Sequence, residues 1–479
     1  MKNFAKFLAV ALVMVVAVAL LAVSASATVS PNGDPKNLKP GSDTVIFIQD
    51  ADAEGNLPGN GTGTDAQNPW RPIEHELFDP NAEIPQNDLM TAFYQATEEL
   101  KDTGGTIVIC GPVHLTGEQA YGAGTSQRDI RTARFGKNVI KFTSVYNGVD
   151  YRETNGACLT VSAPAQISIS GSSIWENIKI GAGGTERVIA FEYNTTLIGE
   201  GVECFPIDSA FEGVATNYIS LAAGHRYNKG NDVAPTMTVM SGTYNKVIAG
   251  AWGVNDKQAM DPATTFLTLE GTTTVLGNVI GTVNKGMLFN GHVNITINDG
   301  TYECDISGVG ESGMTNTDGT VKLNINGGKF ESTWSISATA MGMINNPPAA
   351  AIVDFSGWNG ETEQLAYAYA AATMDDSFTK VILPAGVTED TLSEFITTEE
   401  TEAPDVETDE PVEDVETDEP ENNEDEEDKT DKDDSAVGVG DEGGTNVGLI
   451  IGIAAGVVAL VIAAAVVVVV VVLKKKTSK

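Results

Sequence analysis

Two short stretches gather the side chains best suited to gripping a ligand. GHRYNKGND carries His225, Arg226, Tyr227 and Lys229, and AWGVNDKQAMDP carries Trp252, Asp256 and Lys257. Cations and a carboxylate make charge-assisted hydrogen bonds, and aromatic faces stack on flat apolar surfaces such as a sugar ring. The combination points to holding a sugar chain, although the same residue types also make ordinary polar loops. An Arg or Lys acting as a proton-abstracting base would need its pKa matched to that task. A third stretch, QDADAEGN, sets Asp50, Asp52 and Glu54 ahead of Gly55 like the first half of a calcium loop. Gly61 stands where the bidentate Glu of such a loop belongs, so this is a weak metal candidate. His75, His114, His225 and His292 are scattered without metal-ligand spacing. The adjacent pair Asp375-Asp376 reads as a turn rather than a catalytic dyad.

The elements that would position these residues repeat. NITINDGTYECDISG, residues 294–308, alternates Ile295 and Ile297 with Thr296 and Asn298, breaks at Asp299-Gly300, and resumes at Tyr302, Cys304 and Ile306. That is half-buried strand chemistry with a glycine at the corner. MTVMSGTYNKVIAG, LTLEGTTTVLGNVIG and LNINGGKFESTWSIS share the pattern, and the corner glycines Gly242, Gly271, Gly300 and Gly328 lie 29, 29 and 28 residues apart. Constant spacing in this range marks a solenoid, each unit packing on its neighbours. The inward ladder is expected to be Met237, Val239, Leu267, Leu269, Ile295, Ile297, Leu323 and Ile325. Similar alternation fills 160–180 and 187–201. An antiparallel sandwich is the competing architecture, since Asn-Asp-Gly is also a hairpin signal. The constant interval favours the solenoid. The interval from Gly201 to Gly242 is 41 residues, so the repeat is interrupted where His225 and its neighbours lie.

Upstream, Leu89, Phe93, Ala96 and Leu100 share a helical face. Asn87 or Asp88 suits its start, Gly104-Gly105 ends it, and an apolar strand Ile107 to Cys110 follows. This is the only helix the ectodomain sequence predicts.

The ends of the chain set its expected location. Lys2 and Lys6, an apolar run to Val23 and Ala25-Ser26-Ala27 have the layout of a secretory signal peptide, residues 1–27. Residues 447–473 carry no charge; as a helix they would span about 40 Å, enough to cross the ~30 Å hydrocarbon core with tilt. The Lys-rich tail 474–479 should stay cytoplasmic. Between lies a Thr/Glu/Pro-rich stalk, 398–446, whose residues 399–434 carry 21 acidic side chains against Lys429 and Lys432, a net −19 that is half of the formal −38 of the whole chain. Such a segment is solvated, self-repelling and too poor in apolar residues to build a core. The acidity argues against a nucleic-acid partner. Cys110, Cys158, Cys204 and Cys304 allow two disulfides in three connectivities, or none. Asn60, Asn194 and Asn294 fit the glycosylation sequon.

A Gly-rich GNGTGTDAQNPW, an amphipathic helix, GGTIVICG and repeated ITI-type rungs together resemble the pectin-lyase-like right-handed parallel β-helix superfamily over residues 44–383. In that superfamily a helix plugs the N-terminal end of the solenoid. The resemblance implies an all-β solenoid with a cap in residues 28–105 and a β-helix in 106–397, about nine or ten coils long. It also raises polysaccharide lyase or glycoside hydrolase activity, with calcium as the cofactor of a lyase. The hydrolase motifs G-H-G and R-x-K are absent from 28–397. The overall plan looks like that of a membrane-anchored bacterial surface protein, without an LP-x-T-G sorting signal. The expected function is therefore a single-pass, cell-surface protein, non-catalytic and without a cofactor, that binds extracellular polysaccharide or a host or neighbouring cell surface. A membrane-tethered lyase or hydrolase is the alternative.

Overall fold

Ile295 and Ile297 alternate with Thr296 in the strand Val293–Ile297, and the alternation is what buries them. In the computed structural model, Ile295 pairs in parallel with Leu267 on one side and Leu323 on the other; Ile297 pairs likewise with Leu269 and Ile325. Each partner lies 28 residues away, so one repeat of sequence is one step along the stack. The described residues are 30–50, 58–59, 61–70, 92–115, 129–162, 166–192, 194–224, 234–252, 264–282, 291–310, 319–339, 348 and 350–395. All belong to the first of two units, Met1–Glu400 and Thr401–Lys479.

From Gly105–Ile109 to Lys380–Ile382 this face carries ten strands, joined by nine parallel pairings. At about 4.8 Å per strand the stack runs on the order of 45 Å. The chain then bends to a second face. There Ser220–Ala222, the later halves of Thr236–Ile248 and Thr265–Ile280, Asp305–Ser307 and Ile336–Ser337 stack in the same order. A third, four-stranded parallel sheet is formed by Pro112–Leu115, Cys158–Ser162, Lys179–Gly183 and Glu203–Pro206. The antiparallel exception among the named strands is the short hairpin of Val145–Tyr146 and Val149–Asp150. The result is an all-β, mostly parallel structure with few helices, compatible with a parallel β-helix. It is not the antiparallel sandwich.

The interior is one continuous apolar cluster. Aromatic rings meet from rung to rung because parallel in-register pairing sets like positions above one another. Phe93 stacks on Phe142 at 5.4 Å, Phe142 on Trp175 at 4.4 Å, and Trp175 meets the edge of Phe191 at 6.1 Å. Tyr302 stacks on Phe330 at 5.2 Å toward the other end.

Phe93 begins that column from the helix α1, Ala92–Leu100, with Ala96 and Leu100 buried beside it. The expected face is confirmed for these three; Asn87, Asp88 and Leu89 lie outside the described residues. One expectation fails. A second helix of 12 residues, α2 (Thr362–Thr373), buries Leu365, Ala366, Ala368, Ala371 and Ala372 on the same core near the other end. Its alanine-rich face gives little apolar periodicity, which hid it in the sequence. Among the described residues no helix is long and apolar enough to cross a membrane. Residues 1–27, 447–473 and the stalk lie outside them.

Candidate functional site

The strands of the second face all run out at one edge. Segments 225–233, 253–263, 283–290, 311–318 and 340–347 each follow a strand of the second face. The residues just before them are bonded from coil to coil. Gly224 N–H donates to the Gly250 carbonyl at 2.7 Å, Ala249 N–H to Ile280 at 2.8 Å, Gly281 N–H to Ser307 at 2.8 Å and Gly308 N–H to Ser337 at 2.9 Å. Close packing makes small residues obligatory there: a Cβ on Gly250 would lie 1.9 Å from the Thr282 carbonyl oxygen. A Cβ on Gly281 would lie 2.4 Å from a Val293 methyl, so the residues flanking 283–290 are themselves in contact. The ends of the second-face strands thus form a closely stacked edge.

Of the sugar-gripping candidates, His225, Arg226, Tyr227, Lys229, Asp256 and Lys257 lie in these segments, outside the described residues. Trp252 is described and is only 6 % exposed. It packs with Val188, Ala190, Ala222, Ile248 and Ile280, so its ring faces protein and braces the corner.

Asp52 and Glu54 are also outside the described residues. Asp50 accepts the backbone N–H of His114, and burial pushes its carboxyl above the ordinary carboxylate range. His114 Nδ1 shares a 2.6 Å hydrogen bond with the buried Thr160 hydroxyl. A carboxylate, an imidazole and a hydroxyl therefore meet on the edge of the four-stranded sheet. They do not form a relay: in a catalytic triad the carboxylate orients the imidazole ring, whereas Asp50 holds the main chain. Nearby, Arg152 pairs with Asp150 at 2.7 Å and Glu203 at 3.2 Å, which holds the Asp150 carboxyl below its usual range. No group of three or more potential metal ligands occurs among the described residues.

Sequence reasoning missed a cleft of about 260 Å³ between the N-terminal residues 30–36 and the outer side of the first face. The N-terminal residues are held as a strap. Asn32 Nδ2 donates to the Ala234 carbonyl at 2.7 Å, Ser30 and Thr236 hydroxyls meet at 2.6 Å, and Lys36 pairs with Glu270 at 3.1 Å. Asp34 caps a short 3₁₀ turn, Pro35–Asn37. The outward row Thr238, Thr268 and Thr296 was legible as strand alternation. Its cover, some 200 residues away in sequence, was not.

Asp375 accepts the Ser377 N–H at 3.1 Å and Asp376 has φ 51°, so this pair is a turn. Asn294 of the third sequon is 4 % exposed, which puts its amide out of reach in the folded chain.

No family model, no curated protein and no solved structure matches the chain.

Proposed function

We propose that this chain is a right-handed parallel β-helix of the pectin-lyase-like kind, anchored at the cell surface, whose interrupted corner holds extracellular glycan without cleaving it. The observation that carries the reading is the closely stacked edge at the ends of the second-face strands, because a row of adjacent, repeated positions suits a long, repetitive ligand. His225, Arg226, Tyr227 and Lys229 from one segment and Asp256 and Lys257 from the next supply the polar and aromatic contacts. The signal-peptide layout, the acidic stalk and the apolar run 447–473 support an extracellular placement with one membrane span. The partner is then a polysaccharide or a glycan-bearing host or neighbouring cell; no nucleic acid and no cofactor is called for.

The test uses the full chain in lipid nanodiscs against a panel of acidic and neutral polysaccharides, with and without calcium. The expected result is retention of at least one polysaccharide, weakened about tenfold by Arg226→Ala or Lys257→Ala, with no new reducing or unsaturated ends. Products lost on those same substitutions would replace this reading with a tethered lyase or hydrolase.

A further inference from the structure

We infer that the cleft beneath the N-terminal strap is a binding site for a single neutral pyranose unit. Its volume of about 260 Å³ lies just under the roughly 300–1,000 Å³ of typical small-molecule pockets, which suits one ring and not a chain. The floor is set by register. Met237 and Val239 point into the core, so Thr238 points out, and Thr268 and Thr296 follow it on the next two strands. These hydroxyls sit one strand spacing apart, about 4.8 Å, the reach across one sugar ring.

Thr238 is 2 % exposed and lines the cleft. Thr268 is half-buried and lines the cleft beside it. A hydroxyl both donates and accepts, which matches a polyol, and a hydroxyl that opens onto the cleft can pair with one. Phe266, 9 % exposed, supplies an apolar wall for the C–H face of a ring.

The rim selects against negative charge. Lys36 is paired with Glu270, and Asn298 Nδ2 donates to the same carboxylate at 3.2 Å. The Asp34 carboxylate accepts the Lys36 backbone N–H at 3.0 Å. With the rim's cation already paired to Glu270 and the Asp34 carboxylate adding negative charge, an anionic ligand finds no free counter-charge, and a neutral hexose or N-acetylhexosamine fits better than a uronate. Asn32 of the strap is bonded to Ala234, which in sequence directly follows 225–233. The inference therefore rests on the glycan reading and specifies one subsite within it.

The probes are the methyl glycosides of glucose, galactose, mannose and N-acetylglucosamine, with galacturonic acid as the anionic control. Saturation-transfer NMR and calorimetry are run on the full chain in nanodiscs. At least one neutral glycoside should bind, galacturonic acid should not, and Thr268→Val should weaken binding about tenfold. Thr238→Val should do the same; both replacements keep shape and favour strand. No neutral glycoside bound by the unaltered chain, or glycoside binding that ignores both Thr substitutions, overturns the site. Polysaccharide retention that fails on Lys257→Ala but survives Thr268→Val, with no glycoside bound, overturns the cleft and leaves the corner reading standing. Glycoside binding lost on Thr268→Val without any polysaccharide retention leaves the cleft standing alone.

Discussion

The phenolic hydroxyl of Tyr302 donates to the Asp299 carbonyl at 2.7 Å, closing a corner over Gly300, whose φ is 117°. Tyr244 repeats the contact, donating to Ser241 at 2.7 Å over Gly242, φ 100°. At the next corner Phe330 follows Gly328, φ 118°, and the ring alone fills the space. The recurring G-T-Y and G-K-F are therefore one device: a glycine takes the left-handed corner and an aromatic ring folds back inside it.

Two substitutions separate the halves of that device. Tyr302→Phe keeps the ring and orphans a carbonyl, an expected loss of about 1–3 kcal/mol. Gly300→Ala forces a strained φ and puts a Cβ 2.7 Å from the Thr273 carbonyl oxygen. It should cost more than Tyr302→Phe, above about 1–3 kcal/mol for the backbone strain alone. Urea unfolding of the paired variants checks the order.

The ring column from α1 into the coils carries a second prediction. Trp175 is fully buried and stacked on Phe142 at 4.4 Å. Trp175→Ala should cost about 3–5 kcal/mol. Phe93→Ala opens the capped end, and hydrogen exchange should then speed first in Gly105–Ile109. Uniform exchange across all coils would mean that α1 does not guard that end.

Asp50 gives a pH dependence. Its folded pKa is raised by burial, with the His114 N–H and imidazole pulling the other way. The protonated form is thus the one the fold prefers. Its stabilising contribution is complete below about pH 4, the ordinary carboxylate value, and is lost as pH rises through the higher folded pKa. Asp50→Asn keeps an acceptor for His114 N–H and removes the ionisation. Relative to the unaltered chain it should gain stability between pH 4 and pH 7; a constant difference across that range would contradict this.

All four cysteines are free thiols. Burial pushes Cys110 and Cys204 up to about 12 and Cys304 higher still, and it raises Cys158 as well. Thiolate is the reactive form, so iodoacetamide at pH 8 should modify the folded chain slowly and all four sites only after denaturation. A reductant should leave the thermal midpoint unchanged. An intact mass lower by the hydrogens of two disulfides would show the bridges that the four cysteines also permit.

The sequence by itself determined the rungs. Alternating apolar residues and glycines at 28- and 29-residue intervals admit parallel stacking because a strand side chain has two faces and a corner glycine has no Cβ to clash. The first cap was legible too, since Phe93, Ala96 and Leu100 keep helical spacing. Helix α2 was not, because alanines on every side blur the period that marks a buried face. Nor could alternation show that Trp252 turns inward: an aromatic beside a polar loop looks the same whether it meets solvent or the Val188–Ile280 cluster. Only the tertiary structure brought Asn32 to Ala234 and Lys36 to Glu270. Local pattern encodes which face a residue takes, whereas contacts across 200 residues depend on where the finished stack leaves a surface to cover.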